Sequence, residues 1–296
     1  MTLTEHGRYN LGNDPGCSSS LATLKVPHRT VIRKFKAPVL ENRKLDAPGH
    51  HVLTIDAPEL ARDARPGHFV GVSGETGAQI LRRPFSVFNA DPHTGQVTIL
   101  FSVFGPVTKV MAGYQVGDVV DLIGPLGGRL FDADARPDAH HLMVGGGYGV
   151  PPLAFLAKRI RAANSDAQVT FITGARRSDL LVGTEGLADA GVALRTCTND
   201  GSCGTSGIVT DLLSAILRDR ADSTPVQVYT CGPTPMMRAV GELSIREDVP
   251  CQVSMEVFMP CGIGICMGCA VGRPDGTYAR GCTDGPVFDA REIVWE

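Results

Sequence analysis

His141-Leu142-Met143-Val144-Gly145-Gly146-Gly147-Tyr148-Gly149-Val150-Pro151-Pro152-Leu-Ala-Phe-Leu-Ala-Lys-Arg-Ile-Arg-Ala162 decides the fold of this chain. Its first four residues make an apolar run suited to a buried strand, a glycine turn follows, and Pro152 opens a helical pattern. Glycines there let the backbone pass close to a nucleotide, and helix N-terminal amides favour its negative charge. The spacing departs from strict G-x-G-x-x-G, so a tight strand-to-helix turn accounts for Gly146, Gly147 and Gly149 as well as a nucleotide does. Downstream, Val169–Thr173, Val192–Thr196 and Val226–Thr230 read as further strands, with helical stretches such as Ile208–Asp219 between some of them. Strand–helix alternation predicts a parallel α/β sheet. Cys231-Gly232-Pro233 directly follows a strand, at the carboxyl edge where ligands sit. Cys231 there is either a neighbour of a nicotinamide ring or a small buried hydrophobe.

Upstream of residue 138 the texture is different. His51–Ile55, Val97–Val103 and Val119–Ile123 are short β-type runs punctuated by Pro66-Gly67, Pro92-His-Thr-Gly95, Gly117-Asp118 and Gly124-Pro125. Such runs without long helices predict a small antiparallel barrel. Within it, Arg83-Pro84-Phe85-Ser86 opens a strand. A guanidinium and a hydroxyl on one extended segment could grip a pyrophosphate and donate to a flavin ring, or could be a surface arginine on an ordinary edge strand. Gly105-Pro-Val107-Thr108 reads as a turn whose amides and Thr108 hydroxyl could receive phosphate oxygens, or as a plain hairpin.

The tail carries Cys261, Cys266, Cys269 and Cys282, a C-x4-C-x2-C-x12-C array. Three lie on one glycine-bearing loop, Cys261-Gly-Ile-Gly-Ile-Cys266-Met-Gly-Cys269, whose amides can turn toward the sulfides of a two-iron, two-sulfur cluster. A structural zinc ion is the competing reading, but zinc ribbons use two C-x2-C knuckles and this segment has only Cys266 to Cys269.

The 296 residues divide into an arm (1–28), a barrel (29–137), an α/β domain (138–248) and a cysteine module (249–296). A formal charge of −3, with no basic patch, excludes a nucleic-acid footprint. The longest apolar stretch, Leu142–Ala157, is broken by four glycines and two prolines, so no membrane span is expected. The N-terminus lacks a secretory pattern and the nine cysteines argue for thiol or metal chemistry, so a cytoplasmic location is expected. Cys17, Cys197, Cys203 and Cys251 read as structural thiols, and the pairs His50-His51 and His140-His141 as solvated residues in surface connections. No carboxylate stands out after Val169–Thr173 to bind a ribose, and Arg176-Arg177 could accept a 2′-phosphate or end a loop.

Taken in order, Arg83-Pro-Phe-Ser86, Gly145-Gly-Gly-Tyr-Gly149-Val-Pro-Pro152 and Cys231-Gly-Pro233 resemble the ferredoxin–NADP reductase superfamily. Met255-Glu-Val-Phe-Met-Pro-Cys261 through Cys269, then Gly281-Cys282-Thr-Asp-Gly-Pro-Val-Phe-Asp289, is similar to the electron-transfer subunits of NAD-dependent, class 1B dihydroorotate dehydrogenases. The resemblance covers about residues 30–296. Related subunits of sulfhydrogenases and anaerobic sulfite reductase have a shorter interval before the last cysteine, so the twelve residues between Cys269 and Cys282 favour the dihydroorotate family. That resemblance implies FAD in the barrel, NAD(H) at the α/β domain, and a [2Fe-2S] cluster on the four cysteines, facing a partner. The partner would be an FMN-containing dihydroorotate dehydrogenase catalytic subunit in pyrimidine biosynthesis, two of each chain forming a heterotetramer. Electrons would pass from the partner through the cluster to FAD and, as hydride, to NAD+ near Gly146–Gly149 and Cys231–Pro233. Arg83, Pro84, Phe85 and Ser86 are implied FAD contacts, with Leu100, Phe101, Ser102, Val107 and Thr108 beside its ribityl diphosphate. The family usually has Tyr-Arg where this chain has Phe101-Ser102, a Gly-Thr pair at Val107-Thr108, and Pro-Gly-Gln-Phe at Pro66-Gly-His-Phe69. An NAD(P)H–flavin–[2Fe-2S] reductase subunit serving ferredoxin, a hydrogenase or a sulfite reductase is the alternative within the superfamily. A zinc-stabilised nucleotide sensor without redox activity is the alternative outside it.

Overall fold

In the computed structural model the described residues are 31–74, 80–134, 136–220 and 224–295, so the expected arm 1–28, with Cys17, lies outside them. The first unit is a closed antiparallel barrel of β1 (Arg33–Lys44), β2 (His50–Asp56), β3 (Phe69–Val72), β4 (Arg83–Asp91), β5 (Gln96–Ser102) and β6 (Val119–Leu126), ordered β1-β2-β5-β4-β3-β6. Alternation places Val39, Leu53, Ile55, Val70, Val72, Val87, Val97, Ile99, Val120 and Leu122 inside. Short helix α1 (Pro58–Asp63) contributes Leu60 to this core, and α2 (Pro106–Gly113) contributes Val107 and Met111. Gly105-Pro-Val-Thr108 is therefore the start of a helix and not the hairpin turn read from sequence, because Pro106 at the first position pre-sets helical φ.

The second unit contains β7 (His140–Gly146), α3 (Val150–Ala163), β8 (Val169–Ala175), β9 (Ala193–Thr198), β10 (Thr205–Ser206), α4 (Val209–Asp219), β11 (Val226–Cys231) and α5 (Thr234–Arg246). With β12 (Cys251–Ser254) and β15 (Val287–Asp289) these strands form one sheet in the order β10-β9-β8-β7-β11-β12-β15, parallel except for the last pair. β7 and β11 lie at the centre, both nearly wholly buried, which explains the unbroken apolar runs there. The strands β12 and β15 come from the cysteine segment yet extend this sheet, and only the hairpin β13 (Ala270–Gly272) and β14 (Tyr278–Arg280) stands apart.

Helix α3 joins barrel and sheet. Phe155, with no exposed surface, packs in the barrel core, while Leu153 and Leu156 pack with Leu100, Phe88 and Val52 on one side and Met143 and Phe171 on the other. Burying a phenylalanine is worth about 1.5–3 kcal/mol, so this one side chain strongly favours the observed docking.

The histidine pairs differ from the expectation of solvated connections. His50 and His51 open β2, and His51 stacks on Phe101 with ring centroids 5.5 Å apart. His140 and His141 open β7; His141 is buried and its Nδ1 pairs with the Tyr229 hydroxyl at 3.0 Å. Polar residues at a strand start read as connection, but cross-strand partners meet them here: Asn42 for His51, Thr170 for His140 and Tyr229 for His141.

His68 is also buried, its Nδ1 accepting from the Arg65 amide at 3.0 Å while Nε2 has no partner among the described residues. Burial, reinforced by Arg65, pushes its pKa down to about 4. A histidine whose folded pKa is depressed stabilises the neutral form, so its contribution is present above the unfolded value near 6.5 and is lost as pH falls toward 4. We expect stability to drop by about 2–3 kcal/mol over that window, and His68→Gln to flatten the slope, measured by urea denaturation across pH.

The loop after β6 seats the cysteine segment on the barrel. Gly128 N–H donates to the Gly285 carbonyl at 2.7 Å, Arg129 N–H donates to the same oxygen at 2.9 Å, and a Cβ on Gly128 would lie 1.7 Å from the Thr283 carbonyl. Gly128→Ala is expected to cost about 1–3 kcal/mol, read as a lower urea midpoint with an unchanged slope.

Candidate functional site

A cleft of about 290 Å³ opens between barrel and sheet. Its barrel wall is Arg83, Pro84, Phe85 and Ser86 from β4, Leu100, Phe101 and Ser102 from the end of β5, and Val107 and Thr108 from α2. All nine residues singled out by resemblance for FAD thus meet in one cavity. β4 and β5 are neighbouring antiparallel strands, so their facing ends reach the same rim. Phe101 keeps its place through Phe85, edge-on at 6.1 Å between centroids, and His51 behind it. The Thr108 hydroxyl, suggested as a phosphate ligand, is already committed: it accepts from the amides of Phe104 and Gly105 and donates to the Gly105 carbonyl, each at 3.0 Å. It caps α2, leaving the first-turn amides at the cleft to face an anion. A guanidinium, hydroxyls, a helix N-terminus and flat apolar walls together fit a flavin dinucleotide.

The opposite wall comes from the sheet and the cysteine segment: Tyr148, Pro151, Cys231, Ser254, Met255, Glu256, Val257, Met259 and Pro286. Only Cys231 among these is a residue singled out from sequence. Burial, reinforced by nearby Glu256, raises its pKa far above the ordinary thiol range, so Cys231 stays a neutral thiol. Desolvation likewise raises Glu256, which lines the cleft while keeping an exposed face. No pattern in the sequence marks Glu256; it enters because β12 runs beside β11 and delivers the residues after Ser254 to the rim.

Gly146, Gly147, Gly149, Gly232 and Pro233 do not line this cleft. They lie behind Cys231, where the turn after β7 meets the turn after β11. A Cβ on Gly149 would sit 2.0 Å from the Cys231 carbonyl, and one on Gly232 would sit 2.8 Å from the Gly146 carbonyl. The glycines therefore let two strand ends touch at the carboxyl edge of the sheet, a crevice suited to a dinucleotide. At the end of β8, Arg177 donates to both oxygens of Asp179, at 3.0 and 2.7 Å, and the Asp200 amide donates to the Arg176 carbonyl at 3.3 Å. Asp179 thus neutralises Arg177 two residues away.

The cysteines form two pairs. Cys261 and Cys266 Sγ atoms are 3.3 Å apart, and so are those of Cys269 and Cys282. Among the described residues no three His, Cys, Asp or Glu side chains gather around one point as a single tetrahedral zinc would require. Two pairs suit two irons, each taking two thiolates, so the donor set fits a [2Fe-2S] cluster. Burial opposes ionisation of Cys261, but backbone amides of Ile263, Cys266 and Ile265 outweigh it and bring its pKa down to about 6. Burial and the adjacent Cys269 push Cys282 up to about 12. Cys266 is exposed while Cys269 and Cys282 are buried, so one edge of the cage faces solvent and the other faces the protein.

That inner edge adjoins the cleft. Phe69, Leu126 and Met259 pack with Cys269 and Cys282 in one apolar cluster, and Phe69 and Met259 also line the cleft. The two centres share a dry wall.

Residues 256–294 match the family described as the iron-sulfur cluster binding domain of dihydroorotate dehydrogenase B, and residues 143–242 match the oxidoreductase NAD-binding domain. The dihydroorotate dehydrogenase B (NAD(+)) electron transfer subunit of Desulforamulus reducens is 38% identical over 256 residues, spanning 84% of this chain and 94% of that protein. Its counterpart in Caldanaerobacter subterraneus is 35% identical over 266 residues, spanning 88% and 99%. The chain belongs to this electron-transfer subunit family. Among solved structures, a chain of an NADH-dependent reduced ferredoxin-NADP oxidoreductase, studied for flavin-based electron bifurcation, superposes with a TM-score of 0.75 at 29% identity, covering 88% of this chain and 90% of that one. A ferredoxin NADP+ reductase from Neisseria gonorrhoeae, 17% identical with a TM-score of 0.59 over 72% of this chain and 91% of its own, shares the fold. As a family member the chain is an oxidoreductase subunit with iron–sulfur, flavin and NAD(H) cofactors. No helix among the described residues is long and apolar enough to cross a membrane.

The other cysteines divide by environment. Cys197 and Cys251 are buried, and burial pushes Cys251 up to about 12, whereas Cys203 is exposed, contrary to its reading as a structural thiol. Because the thiolate is the nucleophile, iodoacetamide should modify Cys203 in the native protein and spare Cys231 and Cys251. After iron is chelated, Cys261 should be the first cluster cysteine labelled. Peptide mass mapping checks both.

Proposed function

We propose that this chain carries electrons from a partner subunit that oxidises dihydroorotate to NAD+, serving pyrimidine biosynthesis. The observation that carries the reading is the wall of Phe69 and Met259, which touches both the cleft and the buried pair Cys269 and Cys282. Bound flavin supplies the exchange between hydride and single electrons, and an iron–sulfur cluster on Cys261, Cys266, Cys269 and Cys282 supplies the one-electron step. The protein's part is placement. Arg83 and the start of α2 oppose a diphosphate, and Ser86 offers a hydroxyl to the flavin ring, with Pro84, Phe85, Leu100, Phe101, Ser102, Val107 and Thr108 enclosing it. Gly146, Gly147, Gly149, Gly232 and Pro233 admit the pyridine nucleotide beside Cys231, whose neutral thiol puts no charge next to a nicotinamide. Arg177 is already matched by Asp179, with Asp200 near enough to add to its field, which suits NAD better than NADP.

We infer an FMN-containing catalytic subunit, two of each chain assembling in the cytoplasm, docked over the exposed cysteines. Phe258, Ile265 and Met267 surround that edge at 77%, 76% and 49% exposure, an apolar collar of the kind that marks a protein contact. We further take the working units as the barrel 29–137, the nucleotide domain 138–248 and the cysteine module 249–296. The likeness to the NADH-dependent reduced ferredoxin-NADP oxidoreductase chain supports a second reading, service to ferredoxin. Presenting dihydroorotate with its oxidising subunit, or reduced ferredoxin, to the purified chain separates the two.

Cys266→Ser should abolish dihydroorotate-driven NAD+ reduction, by at least about 100-fold, while NADH oxidation by a small dye that reaches the flavin stays within about twofold. Retention of the relay in that variant, or zinc in place of iron and acid-labile sulfide, overturns the proposal.

A further inference from the structure

Tyr148 stands in the glycine turn between β7 and α3, yet its side chain crosses to the barrel. Its hydroxyl lies 2.6 Å from Ser102 Oγ at the end of β5, and its ring lies 6.4 Å from that of Phe104 at 49°. Ser102 is 9% exposed, while Tyr148 and Phe104 are 47% and 77% exposed, and all three line the cleft. Arg83 is the one cationic side chain among the cleft's described lining residues. A dinucleotide's diphosphate carries more negative charge than one guanidinium matches, so further donors are required.

Two hydroxyls in contact share one hydrogen bond and keep one proton over. A phenol is a stronger acid than an aliphatic alcohol, so the favoured arrangement has Tyr148 donating to Ser102 Oγ. The serine O–H is then polarised and free to donate into the cleft. This arrangement presents a donor without a formal charge to the cleft. We propose that Tyr148 and Ser102 act as one hydroxyl relay that binds an oxygen of the flavin dinucleotide's ribityl–diphosphate chain, with the Tyr148 and Phe104 rings walling the mouth. The inference rests on the flavin reading given above. It also makes the nucleotide domain part of the flavin site, since the phenol comes from one unit and the serine from the other.

The test uses the full chain with its iron–sulfur cluster retained and its flavin removed. FAD is titrated back and flavin fluorescence followed for wild type, Tyr148→Phe, Ser102→Ala and the double variant. Each single change should raise the FAD Kd by about five- to tenfold, the loss of one hydrogen bond. The double variant should match either single one within about twofold, since the two groups act as a unit. Ser102→Thr, which keeps the hydroxyl, should stay near wild type. Melting temperature and cluster absorbance monitor folding. An unchanged Kd in Tyr148→Phe with only a lower Tm makes the pair a strut between units and overturns the proposal. Multiplying losses in the double variant overturn the relay. A wild-type chain that takes up no FAD overturns the flavin reading itself, and this inference with it.

Discussion

The contact of Phe69 and Leu126 with Met259, Cys269 and Cys282 is the constraint on which the rest depends. A cysteine cage could be built on any surface loop; what gives this one a role is that two of its ligands are packed against the wall of a ligand cleft. The packing is apolar, so water is excluded from the gap between the centres. Backbone hydrogen bonds from Gly128 and Arg129 to Gly285 hold the same junction from the other side. Where side chains cannot fit, as at Gly128, the chain trades local stability for a close approach of two units.

A second junction sets the geometry of the nucleotide side. Phe155 of α3 is buried in the barrel core, so the helix that follows the glycine turn cannot shift without opening a cavity there. The same turn touches the Cys231–Gly232 turn on one side and sends Tyr148 to Ser102 on the other. The cleft and the glycine-lined crevice behind Cys231 are therefore positioned by one rigid element.

Electrostatics within the cleft are restrained. Arg83 and Glu256 are the charged side chains on its walls, and desolvation raises the pKa of Glu256. Cys231 is also neutral. A mainly apolar slot with one charged residue of each sign favours flat aromatic rings. The cysteine loop is the reverse: inward amides favour thiolate at Cys261, as a metal ligand requires.

Much of this was legible in the chain. The strand–glycine–helix run from His141, the Arg83–Ser86 segment and the spacing of Cys261, Cys266, Cys269 and Cys282 are local patterns, written by backbone sterics and ligand geometry, and they gave the barrel, the parallel sheet and the cysteine cage. Other features were illegible for the same reason. Glu256, Met259 and Tyr148 reach the cleft only because β12 lies beside β11 and α3 docks on the barrel. His141 looked solvated until Tyr229 met it, and Thr108 looked like a phosphate ligand until its hydroxyl was found capping α2. Sequence determined which local structures and ligand types this protein can form, since those depend on neighbours a few residues away. Tertiary structure alone decided which of them share a wall, because that follows from contacts between residues far apart in the chain.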